Sequence, residues 1–267
     1  MDKRPIGIFD SGVGGLTVAK EVMNLLPNET IIYLGDTANL PYGDKSAEIV
    51  QRYSVDNTEF LLKHDIKLLV VACNTASSVA LEHLKSSYQL PIVGVIEPAV
   101  KGAIFATRNK KIGVIGTNRT IKSNVYPDML KAMEPECQIS SRPCPLFVPL
   151  IEEFFIDHEA TRLIAVEYLK EFKEQGSDTL ILGCTHYPLI KDIIAEILPG
   201  VKLVDSALST ARDIYSLLDS HQMLALTPRD GKPPAHRFFA TDITPKLNDL
   251  ANRILGMKID FEEVSVK

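Results

Sequence analysis

The stretch "DTLILGCTHYPLI" (178–190) has a near-copy 111 residues earlier, "KLLVVACNTASSVA" (67–80). In each, an apolar run of strand length meets Gly or Ala, then Cys, then polar residues and a helical pattern. The runs "LLVVA" and "TLILG" show no polar alternation, as expected for strands covered on both faces. Such strands belong to parallel sheets flanked by helices, which predicts an α/β fold.

The same alternation extends outward in both directions. "PIGIFD" (5–10), "TIIYLGD" (30–36) and "PIVGVIE" (91–97) read as further strands, with helices "GLTVAKEVMNLL" (15–26) and "AEIVQRYSVDNTEFLLKH" (47–64) between them. In the second half, "KIGVIGT" (111–117) reads as a strand and Ile121 to Met133 as a helix. "QISSRPCPLFVPLIEEFF" (138–155) carries three prolines and reads as loop and edge structure. A helix over 160–176, the strand "TLILGC", a helix near "LIKDIIAEIL" and the strand "VKLVD" (201–205) come next. Beyond these the pattern predicts a helix "STARDIYSLLDSHQML", a turn at "DGKPP" (230–234), a strand at "HRFFATD" and a closing helix "PKLNDLANRIL" (245–255).

The two halves agree in order and spacing. Gly7 to Cys73 is 66 residues and Gly113 to Cys184 is 71; Pro91 and Pro199 then each introduce a strand ending in an acid, Glu97 or Asp205. Any βαβ series resembles itself to some degree, but here the cysteines coincide as well as the elements. The reading is two similar α/β domains with mainly parallel sheets, related by a pseudo-twofold, with a boundary near Pro98.

At 267 residues and 45% apolar composition the chain can bury a real core, which excludes disorder. The net charge of −5 argues against a nucleic-acid binder, and "RNKK" (108–111) reads as a solvated turn. No stretch approaches the roughly 18–20 apolar residues of a membrane span, and the N-terminus carries no signal-peptide pattern, so the expectation is a cytoplasmic protein with no membrane partner. The four cysteines, Cys73, Cys137, Cys144 and Cys184, have no CxxC spacing; free thiols and no metal are expected.

In open parallel sheets, ligands bind beyond the carboxyl ends of strands, where Cys73 and Cys184 sit. Asn74 and Thr75, like Thr185, suit N-cap positions, leaving the next amides free for an anion. Those amides would favour thiolate over thiol and would equally attract a carboxylate. A lone Cys closing an apolar strand is usually a small buried hydrophobe, and Cys137 and Cys144 are read that way. If the domains face each other across a cleft, the two strand-end thiols reach one bound molecule from opposite sides. That arrangement suits removal of a proton from one face of a carbon and its return to the other, which is racemisation. "DSGVGG" (10–15) lacks the Lys-Ser/Thr ending of a P-loop and reads as a tight strand-to-helix turn. Asp10, His186 and Tyr42 each also have a plain reading, as an N-cap, a helix-start polar residue and a turn aromatic.

Together, "GIFDSGVGGLTV" (7–18), "LPYG" (40–43), "ACNTAS" (72–77), "CPLFVPLIE" (144–152) and "GCTHYPLI" (183–190) resemble the glutamate racemases, cofactor-independent amino-acid racemases. The resemblance implies that Cys73 and Cys184 are the two acid/bases, the first taking the α-proton of D-glutamate and the second that of L-glutamate. It implies that Asp10 assists Cys73, and that Glu152 and His186 assist Cys184. Substrate contacts would come from Asp10, Ser11, Tyr42, Gly43, Asn74, Thr75, Thr117, Thr185 and His186. It further implies no pyridoxal phosphate or metal, a role in supplying D-glutamate for peptidoglycan, frequent homodimers, and a C-terminal segment that rejoins the first domain. The domains would then be 1–97 plus 207–267, and 98–206. Two departures stand out. After "PLIEE" the family commonly has a glycine where this chain has "FFID" (154–157), and the N-terminal extension tied to activation by a cell-wall precursor is absent, so that regulation is not expected.

Three rival readings remain open from the residues. They are a racemase of another acidic amino acid such as aspartate, a Cys–His hydrolase using Cys184 and His186, and a non-catalytic amino-acid-binding module. The hydrolase leaves Cys73 idle, and the binding module needs no thiols.

Overall fold

The computed structural model describes residues 2–225 and 234–266. Strands β1 (Ile6–Asp10), β2 (Ile31–Gly35), β3 (Leu68–Val71) and β4 (Ile92–Gly94) alternate with helices α1 (Leu16–Leu25), α2 (Ala47–Leu62), α3 (Asn74–Val79) and α4 (Leu81–Ser87). Helix α5 (Ile96–Ala106) leads to β5 (Lys111–Gly116), α6 (Asn118–Lys122), α7 (Val125–Met133), β6 (Gln138–Pro143), α8 (Phe147–Glu152), α9 (Glu159–Gln175), β7 (Thr179–Gly183), α10 (Lys191–Ile197) and β8 (Lys202–Asp205). Then come α11 (Ser206–Ser220), β9 (Arg237–Ala240), α12 (Pro245–Leu255) and β10 (Phe261–Glu263).

Two all-parallel sheets result, one ordered β10-β9-β2-β1-β3-β4 and the other β6-β5-β7-β8. The α/β expectation holds, and the reason is visible in burial: every residue of β1, β2, β3 and β7 is buried, so both faces of these strands are covered. The order β2-β1-β3-β4 repeats as β6-β5-β7-β8. The last two strands add to the free edge of β2, so the C-terminal segment returns to the first sheet. Helix α11 packs on α1 and α5, joining the layers. None of the described helices is long and apolar enough to cross a membrane.

Several local expectations change. "PIVGVIE" ends as a strand at Gly94; Glu97 lies in the first turn of α5, where an acid suits the amide end of the helix, and Pro98 sits next to it inside that turn. The helix expected from Ile121 to Met133 is two helices, because Asn124 takes a left-handed φ of 59°, a conformation Asn tolerates. The 138–155 stretch holds an edge strand and a short helix as well as loop. Phe154, at the position where a glycine is common in the resembling family, has φ 60°. That conformation is natural for glycine and strained for a bulky side chain. The turn expected at "DGKPP" falls on 230–234, of which 230–233 lie outside the described residues.

Candidate active site

The strand pairings place the two cysteines at equivalent positions. Gly7 of β1 is level with Leu69 and Ile32, and Gly113 of β5 is level with Leu180 and Ser140. Four residues further along each strand lie Ser11, Cys73 and Asp36 in the first sheet, and Thr117, Cys184 and Cys144 in the second. These are carboxyl ends, where parallel sheets bind ligands.

One cavity of about 220 Å³ collects residues from both ends. Its lining includes Ser11, Tyr42, Gly43, Cys73, Asn74 and Thr75 from the first sheet's side, and Thr117, Glu152, Cys184, Thr185 and His186 from the second. Of the residues singled out in the sequence, Asp10 alone does not line it. Asp10 lies beneath, fully buried, accepting from Gly12 N at 3.0 Å and from Thr185 Oγ1 at 3.4 Å. The cavity closes because glycine backbone on the first sheet's side meets side chains from the second. A Cβ on Gly14 would stand 2.4 Å from Thr185 Oγ1 and 2.6 Å from His186 Nδ1, and one on Gly43 would stand 2.8 Å from Thr117 Cβ. Asn118 Nδ2 also donates to Asp44 Oδ1 at 3.0 Å and Arg119 Nε to the Lys45 carbonyl at 2.8 Å.

The surroundings of the two sulfurs differ. Cys73 itself, not Asn74 or Thr75, caps α3: its backbone is extended and Sγ accepts from Ala76 N at 3.5 Å. Ser11 Oγ is 3.7 Å from the same sulfur. The expectation that the helix amides favour thiolate is reversed here. Burial, then the charge of Asp10, push the Cys73 thiol up to about 12, more than the Ala76 amide and the Ser11 hydroxyl offset. Burial likewise raises the Asp10 carboxyl, although the facing His186 and the Gly12 amide pull the other way.

Cys184 has no α-helix behind it. Residues 184–186 form a turn, Tyr187–Ile190 is a 3₁₀ turn containing Pro188, and α10 begins only at Lys191, so Thr185 caps no helix. Its neighbour is His186, whose Nδ1 lies 3.9 Å from Sγ and whose Nε2 lies 3.1 Å from Glu152 Oε1. The Nε2–H is not aligned for a full hydrogen bond, so the Glu152 contact is an ion pair between a buried imidazole and a partly exposed carboxylate. Burial alone would lower the His186 pKa, but Cys184 and Glu152 together raise it to about 10. For Glu152, burial acts upward and the His186 charge outweighs it, holding the carboxyl below its ordinary value. A protonated His186 thus sets a positive charge beside Cys184, whereas Cys73 faces a carboxyl group.

The remaining polar groups are held from behind. Thr75 and Thr117 hydroxyls meet across the two sides at 2.9 Å, and Thr120 Oγ1 joins both. Asn74 Oδ1 accepts from Tyr126 at 2.6 Å. Tyr42 donates to the buried Asp36 carboxylate, which also accepts from Asn39 Nδ2 and from Thr241 Oγ1, and Asn57 Nδ2 donates to the Tyr42 oxygen at 3.1 Å. Sequence reading missed Asp36, Asn57, Tyr126 and Thr120. Asp36 had a signal, since it closes "TIIYLGD" as Asp10 closes "PIGIFD"; the others become neighbours only through tertiary packing.

Residues 17–214 match the family profile described as Asp/Glu/Hydantoin racemase. The chain is 49% identical over 269 aligned positions to a glutamate racemase of Geobacter metallireducens, covering 100% of this chain and 98% of that one. A solved glutamate racemase of Francisella tularensis in complex with D-glutamate superposes with a TM-score of 0.93 at 40% identity, over 100% of this chain and 99% of that one. A glutamate racemase isoform of Bacillus anthracis superposes with a TM-score of 0.94 at 39% identity, over 99% and 98% of the two chains. With two strand-end thiols on one cavity and similarity over its full length, the chain belongs to the Asp/Glu/hydantoin racemase family.

Proposed function

We propose that the protein interconverts L- and D-glutamate by two-base proton transfer, with Cys73 and Cys184 as the acid/bases. The observation that carries this is the meeting of two sulfurs, from equivalent ends of two separate sheets, on one small cavity. At about 220 Å³ the cavity is below the roughly 300–1,000 Å³ of drug-sized ligand sites and suits a small molecule.

In this mechanism one sulfur, as thiolate, takes the α-proton, and the other, as thiol, returns a proton to the opposite face. The thiol side at rest is Cys73, whose proton burial and Asp10 retain. The charge-compensated side is Cys184, where the His186–Glu152 pair supplies a cation within reach of the sulfur. In the L-to-D direction Cys184 abstracts and Cys73 donates; the opposite direction starts from the reversed protonation. Ser11, Asn74, Thr75, Thr117 and Thr185 surround the substrate with hydroxyl and amide donors, which stabilise charge building on the α-carboxylate as the proton leaves. D-Glutamate made this way would serve peptidoglycan synthesis.

The test is incubation of each glutamate enantiomer in D₂O with no added cofactor. Optical rotation should fall to zero and the α-position should gain deuterium. Cys73→Ala and Cys184→Ala should each abolish racemisation while keeping the wild-type circular dichroism. Near-normal turnover in either variant rules out the two-base scheme, and turnover of aspartate in preference to glutamate reassigns the substrate.

A further inference from the structure

We propose that Tyr126 is a positioning residue: its hydroxyl fixes the Asn74 carboxamide so that Nδ2 serves as a donor to a carboxylate oxygen of the substrate. The inference rests on the racemase reading above and names a residue outside the cavity lining.

The chain of causes begins in the backbone. The left-handed turn at Asn124 breaks the helix and lets α7 start afresh at Val125, so Tyr126 lies in its first turn. The ring reaches the carboxyl end of β7 because residue 183 is glycine; a Cβ there would stand 3.2 Å from Tyr126 Cε2. Tyr126 is 1% exposed, and its hydroxyl lies 2.6 Å from Asn74 Oδ1. A carbonyl oxygen only accepts, so the phenol is the donor. Burial, and the Cys184 charge, hold that phenol well above its ordinary pKa, so the proton stays in place.

With Oδ1 engaged, the NH₂ group occupies the other end of the carboxamide. Asn74 is 2% exposed and lines the cavity beside Cys73, and its Nδ2 has no hydrogen-bond partner among the described residues. A buried donor without a partner is costly, and an acceptor arriving in the cavity relieves that cost. A carboxylate is the matching acceptor. Without the phenol the carboxamide is free to turn half a revolution and present its oxygen to the anion, which repels it.

Tyr126→Phe deletes only the hydroxyl. The expected result is a rise in KM for both enantiomers of about tenfold, equivalent to about 1.4 kcal/mol, with kcat within about twofold of wild type. A merely structural role would lower the thermal midpoint without that split between KM and kcat. Because the enantiomers have equal energy, kcat/KM must fall by the same factor in both directions. Tyr126→Phe combined with Asn74→Ala should match Asn74→Ala alone, since both remove one interaction. Asn74→Asp, which keeps shape and replaces the donor by a charged oxygen, should raise KM more than Asn74→Ala does. An unchanged KM in Tyr126→Phe, additive effects in the pair, or an Asn74→Asp no worse than Asn74→Ala overturns the inference while leaving racemisation intact. A wild type inert toward glutamate overturns it together with the reading on which it rests.

Discussion

Replacing Lys67 by Met should destabilise the protein more than any substitution on its surface. Lys67 stands immediately before β3, the strand that delivers Cys73, and its ammonium is fully buried. Nζ is 2.6 Å from Glu29 Oε2 and donates to the carbonyls of Asp2 at 2.8 Å and Met223 at 2.7 Å. Glu29, 2% exposed, also accepts from Ala225 N at 2.8 Å. The ammonium thus ties the N-terminus, the α1–β2 connection and the segment after α11 to the base of β3. Methionine matches the stem but leaves the Glu29 carboxylate buried without a counter-ion, a loss of about 3–5 kcal/mol. Adding Glu29→Gln removes the orphaned charge and keeps an acceptor for Ala225 N, so the double variant should regain about 1–3 kcal/mol of that loss. Urea unfolding followed by circular dichroism measures this; the chain has no tryptophan to report by fluorescence. A Lys67→Met loss below about 1 kcal/mol, or a double variant less stable than the single, refutes the reasoning.

The His186 ion pair makes a pH prediction. Its folded pKa of about 10 lies above the ordinary 6.5, so its stabilisation is fully present below 6.5 and is lost as pH rises toward 10. The stability difference between wild type and His186→Asn should therefore shrink across that window, and a constant difference would show that the imidazolium is not held by Cys184 and Glu152. Glu152 has the opposite sign: its contribution is present above 4.5 and lost on acidification, so Glu152→Gln should flatten the acid side of the stability curve. Gly14→Ala puts a methyl group against Thr185 and His186. Racemisation should fall at least a hundredfold with a stability loss of about 1–3 kcal/mol, and wild-type activity would show that the two sides can part without harm.

The α/β class and the strand ends bearing Cys73 and Cys184 were legible in the sequence because a strand covered on both faces leaves an unmistakable run of Ile, Val and Leu. The paired glycines and cysteines also announced the repeat that the two sheets display in their strand order. The backbone just beyond each cysteine was not legible. Asn74, Thr75 and Thr185 have the chemistry of caps, but whether a cap is used depends on the backbone, and Pro188 turns the second case into a 3₁₀ turn. The Cys73 thiol moved opposite to expectation because a single amide contact competes with burial and a buried acid, neither of which sequence spacing encodes. Strand β10 went unread: Phe261–Glu263 is three residues long and two of them are acidic, so it has no apolar signature, and only the edge offered by β9 makes it a strand. Tyr126 lies 52 positions from its partner and offered no local sign.

The repeated strand order has a chemical corollary. Counted along the matching strands, the counterpart of Asp10 in the second sheet is Gly116, and that of Thr75 is His186. A pair of identical subunits would be obliged to give both thiols the same neighbours, and so the same hold on a proton at any given acidity. One continuous polypeptide carrying the motif twice escapes that constraint. Each half can be edited alone, so that one sulfur, Cys184, gains an imidazole at 3.9 Å while the other, Cys73, has a serine hydroxyl at 3.7 Å.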